Sequence, residues 1–330
     1  MPTLVTGATG FVGSAVARTL LARGHDLRLL VRPIGDRRNV DSLTAELVEG
    51  DLTDPASLER AAAGCRYVVH VAADYRIWVR NPDEMLRANV DGALAMVRAA
   101  ARAGAERIVH CSSVAALGQI GDGTPADEDT PTNEADFVGI YKKSKYLAER
   151  AVLEAAARES WPVVVVNPAA PVGPRDIKPT PTGKMIRDAA AGVVPAYIDT
   201  GLNIVHVDDV AEGHALALER GRVGERYVLG GENMPLRDIL GLVAGIAGRK
   251  APRIRLPEAA VWPLAYLMEK TANVTGIAPV VTRDHLKMAR KKMYYSSAKA
   301  ARELGYNPRP VRLAVEDAIQ WFRDNGMLRR

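Results

Sequence analysis

Cysteine is almost missing from this chain. Cys65 and Cys111 are the only two in 330 residues, far apart and each inside an apolar stretch. That excludes a disulfide framework and a cysteine-ligated zinc site, and it predicts two buried, reduced thiols in a cytoplasmic protein. Histidine is scarce as well, six in all, and no pair has metal-ligand spacing, so no metal is expected. His70, His110 and His206 lie in apolar strands and read as core histidines with satisfied ring nitrogens. No apolar run is long enough to span a membrane, and no leader-like segment stands ahead of the first strand. A large excess of charge is missing too. The net +5 is spread along the chain, and its densest run, Arg283 to Lys292, reads as a solvated helix face, so a nucleic-acid partner is not expected.

What the chain does have is glycine where a strand meets a helix. Thr3-Leu-Val-Thr-Gly-Ala-Thr-Gly-Phe-Val-Gly13 runs from a short apolar strand through three glycines into helical periodicity. Gly7 permits a sharp turn, Gly10 leaves room for a pyrophosphate beside the backbone, and Gly13 lets the helix pack closely on the sheet. The helix start offers unpaired N–H groups to an anion, which puts Thr9, Phe11 and Val12 at the cofactor with the glycines. Leu27-Arg-Leu-Leu-Val31 completes one βαβ unit.

The alternation continues. A third strand ends near Leu52, Asp54-Pro55 opens a helix through Ala63, and Tyr67 to Ala72 is a fourth strand. A long helix is predicted over 83–103, and Arg107 to Ser113 is a fifth strand. The fold expected is α/β, a doubly wound parallel sheet whose ligands meet the carboxyl ends of its strands. Residues 1–168 form the dinucleotide-binding domain, with 201–230 returning to its sheet. Residues 169–200 and 231–330 form a smaller α+β substrate-binding region.

At the end of the second strand stands Val31, where NAD-binding units commonly carry an acid; Arg32 follows, with Arg37 and Arg38 near it. A guanidinium suits a 2′-phosphate, so NADP is expected in preference to NAD, with Arg32 and Arg37 as contacts. Asp51 is placed to reach the adenine amino group and Leu52 to pack on the ring, while Asp54 caps the next helix.

The chemistry is expected at Tyr141-Lys-Lys-Ser-Lys145, in a helical stretch over 137–159. Tyr141 and Lys145 lie one turn apart on one face, so the ammonium is expected to lower the phenol pKa and Tyr141 to exchange a proton with a carbonyl or alcohol oxygen. Ser113, at the end of the fifth strand, supplies a hydroxyl to the same oxygen.

These motifs resemble the extended short-chain dehydrogenase/reductase superfamily over nearly the whole chain. The likeness rests on Thr6 to Gly13, Asp51-Leu52, His70-Val-Ala-Ala73, Asn89-Val-Asp-Gly92, Cys111-Ser-Ser113, Tyr141 to Lys145, and Asn167-Pro168 with Gly173-Pro174. It implies a catalytic set of Ser113, Tyr141 and Lys145, completed by Asn89 as a helix-bending or water-holding residue. It also implies Lys145 at the nicotinamide ribose and Ala72, Ala73 and Pro168 beside the cofactor. Within the superfamily the chain is most similar to dihydroflavonol 4-reductase-like and 3β-hydroxysteroid dehydrogenase-like proteins. Val31-Arg32-Pro33, His70 to Trp78 and Asn203 to Asp209 look most like the hopanoid-associated sugar epimerase family. By that likeness Asp74, Tyr75, Trp78 and Ser113 meet the substrate.

Two departures narrow the reaction. Val114-Ala115 stands where dehydratases carry an acidic pair, which disfavours elimination. Leu202-Asn203 stands where nucleotide-sugar epimerases carry a diphosphate-binding arginine, which favours a more apolar substrate. The reading is NADP-linked hydride transfer at a secondary alcohol or ketone. A sugar epimerase with a transient keto intermediate and a non-catalytic NADP(H)-binding sensor are the alternatives. The partner expected is a small molecule, with a homodimer left open.

Further along, a loop over 168–181, a helix over 183–191, a strand at 203–207 and a helix over 208–220 capped by Asp208 and Asp209 are predicted. The apolar segment Leu256 to Met268 reads as a core helix kinked at Pro263 or, with the basic run that follows, as a face meeting a lipid surface.

Overall fold

The computed structural model describes residues 1–76, 78–134, 137–275, 279 and 282–328, without the side chains of residues 258, 273, 274, 285 and 288. Ile77, inside one of the motifs above, lies outside the described residues. The centre is a seven-stranded, wholly parallel sheet. Its strands are β1 (Thr3–Thr6), β2 (Leu27–Val31), β3 (Glu46–Glu49), β4 (Tyr67–His70), β5 (Arg107–Cys111), β6 (Val163–Pro168) and β10 (Arg226–Leu229), in the order β10-β6-β5-β4-β1-β2-β3. The order reverses between β1 and β4, which opens a crevice at their carboxyl ends. Thr6 shapes that crevice. Its hydroxyl oxygen accepts from the Val71 and Ala72 N–H groups at 3.2 and 3.1 Å, and the hydroxyl is hydrogen-bonded with His70 Nδ1 at 2.7 Å.

Strands buried on both faces explain the unbroken apolar runs: Val163, Val164, Val165 and Val166 are all fully buried. Each such side chain contributes roughly 1.5–3 kcal/mol. On one face α1 (Phe11–Ala22) packs against α7 (Val207–Arg220); on the other lie α2 (Pro55–Ala62), α4 (Gly92–Arg102) and α5 (Ile140–Glu159). The long helix predicted over 83–103 is instead α3 (Pro82–Leu86), a π-helical turn (Arg87–Asp91) and α4 in series, with Asn89 inside the wide turn.

A three-stranded sheet in the order β11-β9-β7 stands apart from the large one, built from β7 (Ala170–Val172), β9 (Gly201–His206) and β11 (Glu232–Pro235). The strand predicted at 203–207 therefore does not rejoin the main sheet; only α7 and β10 do. With α6 (Pro181–Ala190), α8 (Leu236–Ala247) and α12 (Val311–Asp324) the small sheet encloses a second core around Ile186, Leu240, Val243 and Phe322. A two-stranded pair, β8 (Ala196–Tyr197) and β12 (Ile254–Arg255), edges this region. The helices α9 (Glu258–Thr275), α10 (Arg283–Ala289) and α11 (Ala298–Leu304) complete the elements.

Two local expectations are corrected. His206, not the aspartates, caps α7: its Nδ1 accepts from Asp208 N–H at 3.0 Å. Asp208 pairs with Arg175 and Asp209 with Arg309, so both carboxylates are committed to tying distant segments to the helix start. Helix α9, with Pro263 inside it, buries only Ala265 and Ala272 among its described side chains, and leaves Leu264, Tyr266 and Leu267 exposed. It is not a core helix.

Candidate active site

The carboxyl ends of the strands open into a cleft of about 1180 Å³ that runs from the glycine turn to the small sheet. At its cofactor-like end, Gly7 has φ +72°, and a Cβ there would lie 2.7 Å from Ala72 N. A Cβ on Gly13 would lie 2.1 Å from Gly7 O. Turn and helix start are therefore pressed together as a cradle requires. Helix α1 has Gly10 as its N-cap, no side-chain cap and no acid in its first turn, so its leading N–H groups are left for an anion. Thr9, Gly10, Phe11 and Val12 line this end with the two other glycines. Further along are Asp51 and Leu52, then Ala72 and Ala73, then Pro168. The residues fit a dinucleotide.

Arg32 lines the cleft, but Arg37 does not: it is drawn aside to Glu49, 2.8 Å away. Arg38 is likewise held by Asp36. Arg32 makes no ion pair among the described residues, so one guanidinium rather than two is offered here. Asp51 accepts from Thr53 N–H at 2.9 Å and from its hydroxyl at 2.7 Å, while Asp54 caps α2 through Ala56 N–H at 3.1 Å. Asn39, which sequence reasoning passed over, is buried and donates to Thr9 O at 3.2 Å and Arg175 O at 3.2 Å, bracing the glycine turn against the far wall.

Ser113, Tyr141 and Lys145 all line the middle of the cleft. Ser113 Oγ accepts from Ala115 N–H at 3.1 Å, and its hydroxyl is directed at the Tyr141 phenol. Its backbone is held from behind: Asn167 donates to Ser113 O at 3.1 Å and to Glu149 at 2.6 Å, and Glu149 pairs with Arg226 at 3.2 Å. Lys145 is buried, donates to Cys111 O at 3.0 Å, and has its pKa pulled down by burial. The expected lowering of the tyrosine pKa is not found. Burial pushes the Tyr141 phenol up, more than its bond to Ser113 draws it down.

Asn89 does not line the cleft. Its Oδ1 accepts from Asp74 N–H at 2.7 Å and its Nδ2 donates to Asp74 O at 2.8 Å and Ser144 Oγ at 2.9 Å. Both amide hydrogens and one acceptor position tie the π-helical turn to the 74 backbone and to α5, so it bends and braces the helix. Asp74 and Tyr75 line the cleft; Trp78 does not. The Asp74 carboxylate accepts from Arg76 N–H at 3.0 Å.

The core histidines are only partly satisfied. His206 donates from Nε2 to Asp317 at 3.1 Å. By contrast His70 Nε2 and both His110 nitrogens meet no partner among the described residues, although their rings lie 5.3 Å apart. Burial holds His70 neutral, its pKa down at about 3. Among the described residues, no cluster of three or more His, Cys, Asp or Glu side chains could hold a metal ion.

A family model for the NAD dependent epimerase/dehydratase family matches residues 3–230. The chain belongs to that family. It is 41% identical to a provisionally named dihydroflavonol 4-reductase of Synechocystis sp. (strain ATCC 27184 / PCC 6803 / Kazusa), over 98% of this chain and 95% of that one. It is 33% identical to sterol demethylase protein B of Methylococcus capsulatus (strain ATCC 33009 / NCIMB 11132 / Bath), over 99% and 100%. The crystal structure of gox2253 superposes with a TM-score of 0.90 at 58% identity, covering 99% of each chain. The epimerase/dehydratase family comprises NAD(P)-dependent enzymes acting on small molecules, and the parallel sheet and crevice described above are those of its solved members.

Proposed function

We propose that this chain is an NADP-linked oxidoreductase that moves hydride at a secondary alcohol or ketone of a small, largely apolar substrate. The observation that carries the reading is the convergence of Ser113, Tyr141 and Lys145 on the cleft that also contains the glycine cradle. When bound, the dinucleotide supplies or accepts the hydride. The chain does the rest. The leading N–H groups of α1 bind the pyrophosphate, and Arg32 faces the 2′-phosphate. Ser113 donates to the substrate oxygen. Burial keeps the Tyr141 phenol protonated at neutral pH, poised to give its proton to an oxygen gaining negative charge. Lys145, anchored on Cys111 O, has donor hydrogens left for a cofactor hydroxyl.

Val138, Met185, Ile198 and Leu202 line the substrate end, which supports an apolar body. The likeness to a sterol demethylase protein supports a polycyclic, isoprenoid-derived one, in keeping with a hopanoid link. A peripheral lipid contact completes this reading: Leu264, Tyr266 and Leu267 are exposed on α9, with Lys270 and Arg283 over the Tyr266 ring at 5.6 and 5.3 Å. Salt-sensitive co-sedimentation with anionic vesicles, weakened by Leu267→Glu, is expected; no binding by the parent protein at low salt removes the lipid part.

The test of the chemistry is a redox balance over a panel of apolar cyclic ketones with NADPH. Stoichiometric NADPH oxidation is expected. Epimerised product without net NADPH loss favours the epimerase alternative, and silence despite tight NADPH binding favours a sensor.

A further inference from the structure

The residue after the tyrosine carries a charge the hydride step does not use. Lys142 lies on α5 about 100° around the helix from Tyr141, also lines the cleft, and is only 8% exposed. No ion pair or hydrogen bond joins it to a carboxylate among the described residues. The acids that share the cleft each have a partner of their own. Asp36 is held by Arg38, Asp51 by Thr53, Asp74 by Arg76 and Glu84 by Asn81. Asp176 accepts from the Thr180 hydroxyl at 2.9 Å, and Asp284 on α10, whose carboxylate stands beside Gly139, lies 3.9 Å from Lys287.

A cation largely withdrawn from bulk water and without an anion is left able to pair with one that a ligand brings into the cleft. Burial, then the neighbouring Lys291, lowers the Lys142 pKa to about 8, so the amine is still mainly protonated at neutral pH. Nothing in its surroundings pulls the other way.

Taking the hydride-transfer reading as the base, we infer that Lys142 binds a carboxylate carried by the substrate, within a lysine's reach of the oxygen that Tyr141 protonates. The substrate class is thereby an apolar keto or hydroxy acid. A single ammonium matches one negative charge, and the apolar wall of Val138, Ile198 and Leu202 takes the uncharged body.

Two measurements test this. The first is the selectivity of NADPH-dependent turnover between 4-oxocyclohexane-1-carboxylate and its methyl ester. The ratio of kcat/KM values favours the acid in the parent, falls by about 10- to 100-fold in Lys142→Met, as loss of a charge-assisted bond requires, and is largely restored in Lys142→Arg. The second needs no turnover: cyclohexanecarboxylate is titrated calorimetrically into the protein loaded with NADP, and Lys142→Met, shown to be folded by its NADP binding, is expected to lose that heat. Carboxylate binding that depends on Lys142, without turnover of either ketone, leaves the inference standing and removes the hydride reading. A parent protein that does not bind the carboxylate, or an acid-to-ester ratio that Lys142→Met leaves unchanged, overturns it.

Discussion

The two ends of the cleft are built in different ways. The cofactor end is made of backbone: a turn that only glycine can make, a helix start with free N–H groups, and strand ends spaced by Thr6. The substrate end is made of side chains from short, separate pieces, among them β7, α6, β9 and α10. A site made of backbone tolerates few sequences, because a Cβ in the wrong place has nowhere to go. A site made of side chains on a small second core can vary residue by residue while the fold stays the same.

Substitutions can break this contrast. The largest effect is expected from Gly13→Val, whose Cβ would lie 2.1 Å from Gly7 O. Opening the turn costs about 1–3 kcal/mol or more in stability, and NADPH binding, followed by fluorescence titration, should disappear. Near-parent affinity in this variant would show that the cradle is not held by close packing. Arg32→Ala comes next. It should weaken NADPH by about 1.5–3 kcal/mol and leave NADH almost unaffected, since Arg37 is engaged by Glu49 and cannot substitute. Equal losses for both nucleotides in calorimetry would deny the 2′-phosphate contact.

The smallest effect is expected in the wall of the substrate end. Burial raises the Asp176 carboxyl from 3.8 to about 6. A carboxyl with a raised folded pKa contributes stability that is fully present below its unfolded pKa and is lost as pH rises through the folded one. Asp176→Asn should therefore be more stable than the parent at pH 8 by on the order of 1–3 kcal/mol, and should show no such gain near pH 4. Urea denaturation at the two pH values measures the difference, and a gain at pH 4 equal to that at pH 8 would contradict the burial argument.

The same contrast explains what could be read from the sequence. The strand-glycine-helix turn, the parallel order and the tyrosine–lysine spacing are local patterns, and each lies where its pattern implies. The direction of the Tyr141 shift was not legible, because it follows from how deeply the phenol is enclosed, and that depends on elements distant in sequence. Arg37 and Arg38 read alike with Arg32 until Glu49 and Asp36 claim them. The strand at 201–206 reads as part of the main sheet because its apolar pattern is the same in either sheet; only its pairing with β7 and β11 distinguishes them. Asn39 and Asn167 carry no periodic signal at all, and their bracing roles follow from contacts across 30 and 54 residues. Helix α9 shows apolar residues on more than one stripe, so sequence alone cannot say which stripe is covered; the structure buries Ala265 and Ala272, half-buries Val261, Trp262 and Met268, and exposes Leu264, Tyr266 and Leu267.

The most direct test of the account is Tyr141→Phe, assayed for turnover and for NADPH affinity in the same preparation. Removing one hydroxyl from a half-buried ring leaves the cradle and Arg32 untouched. Turnover should fall by about 10²–10⁴-fold, as expected when a general acid is lost, while the NADPH Kd stays within about two-fold of the parent value, a difference of less than RT. Turnover near the parent rate would contradict the assignment of Tyr141 as the proton donor, and with it the proposed chemistry of the cleft.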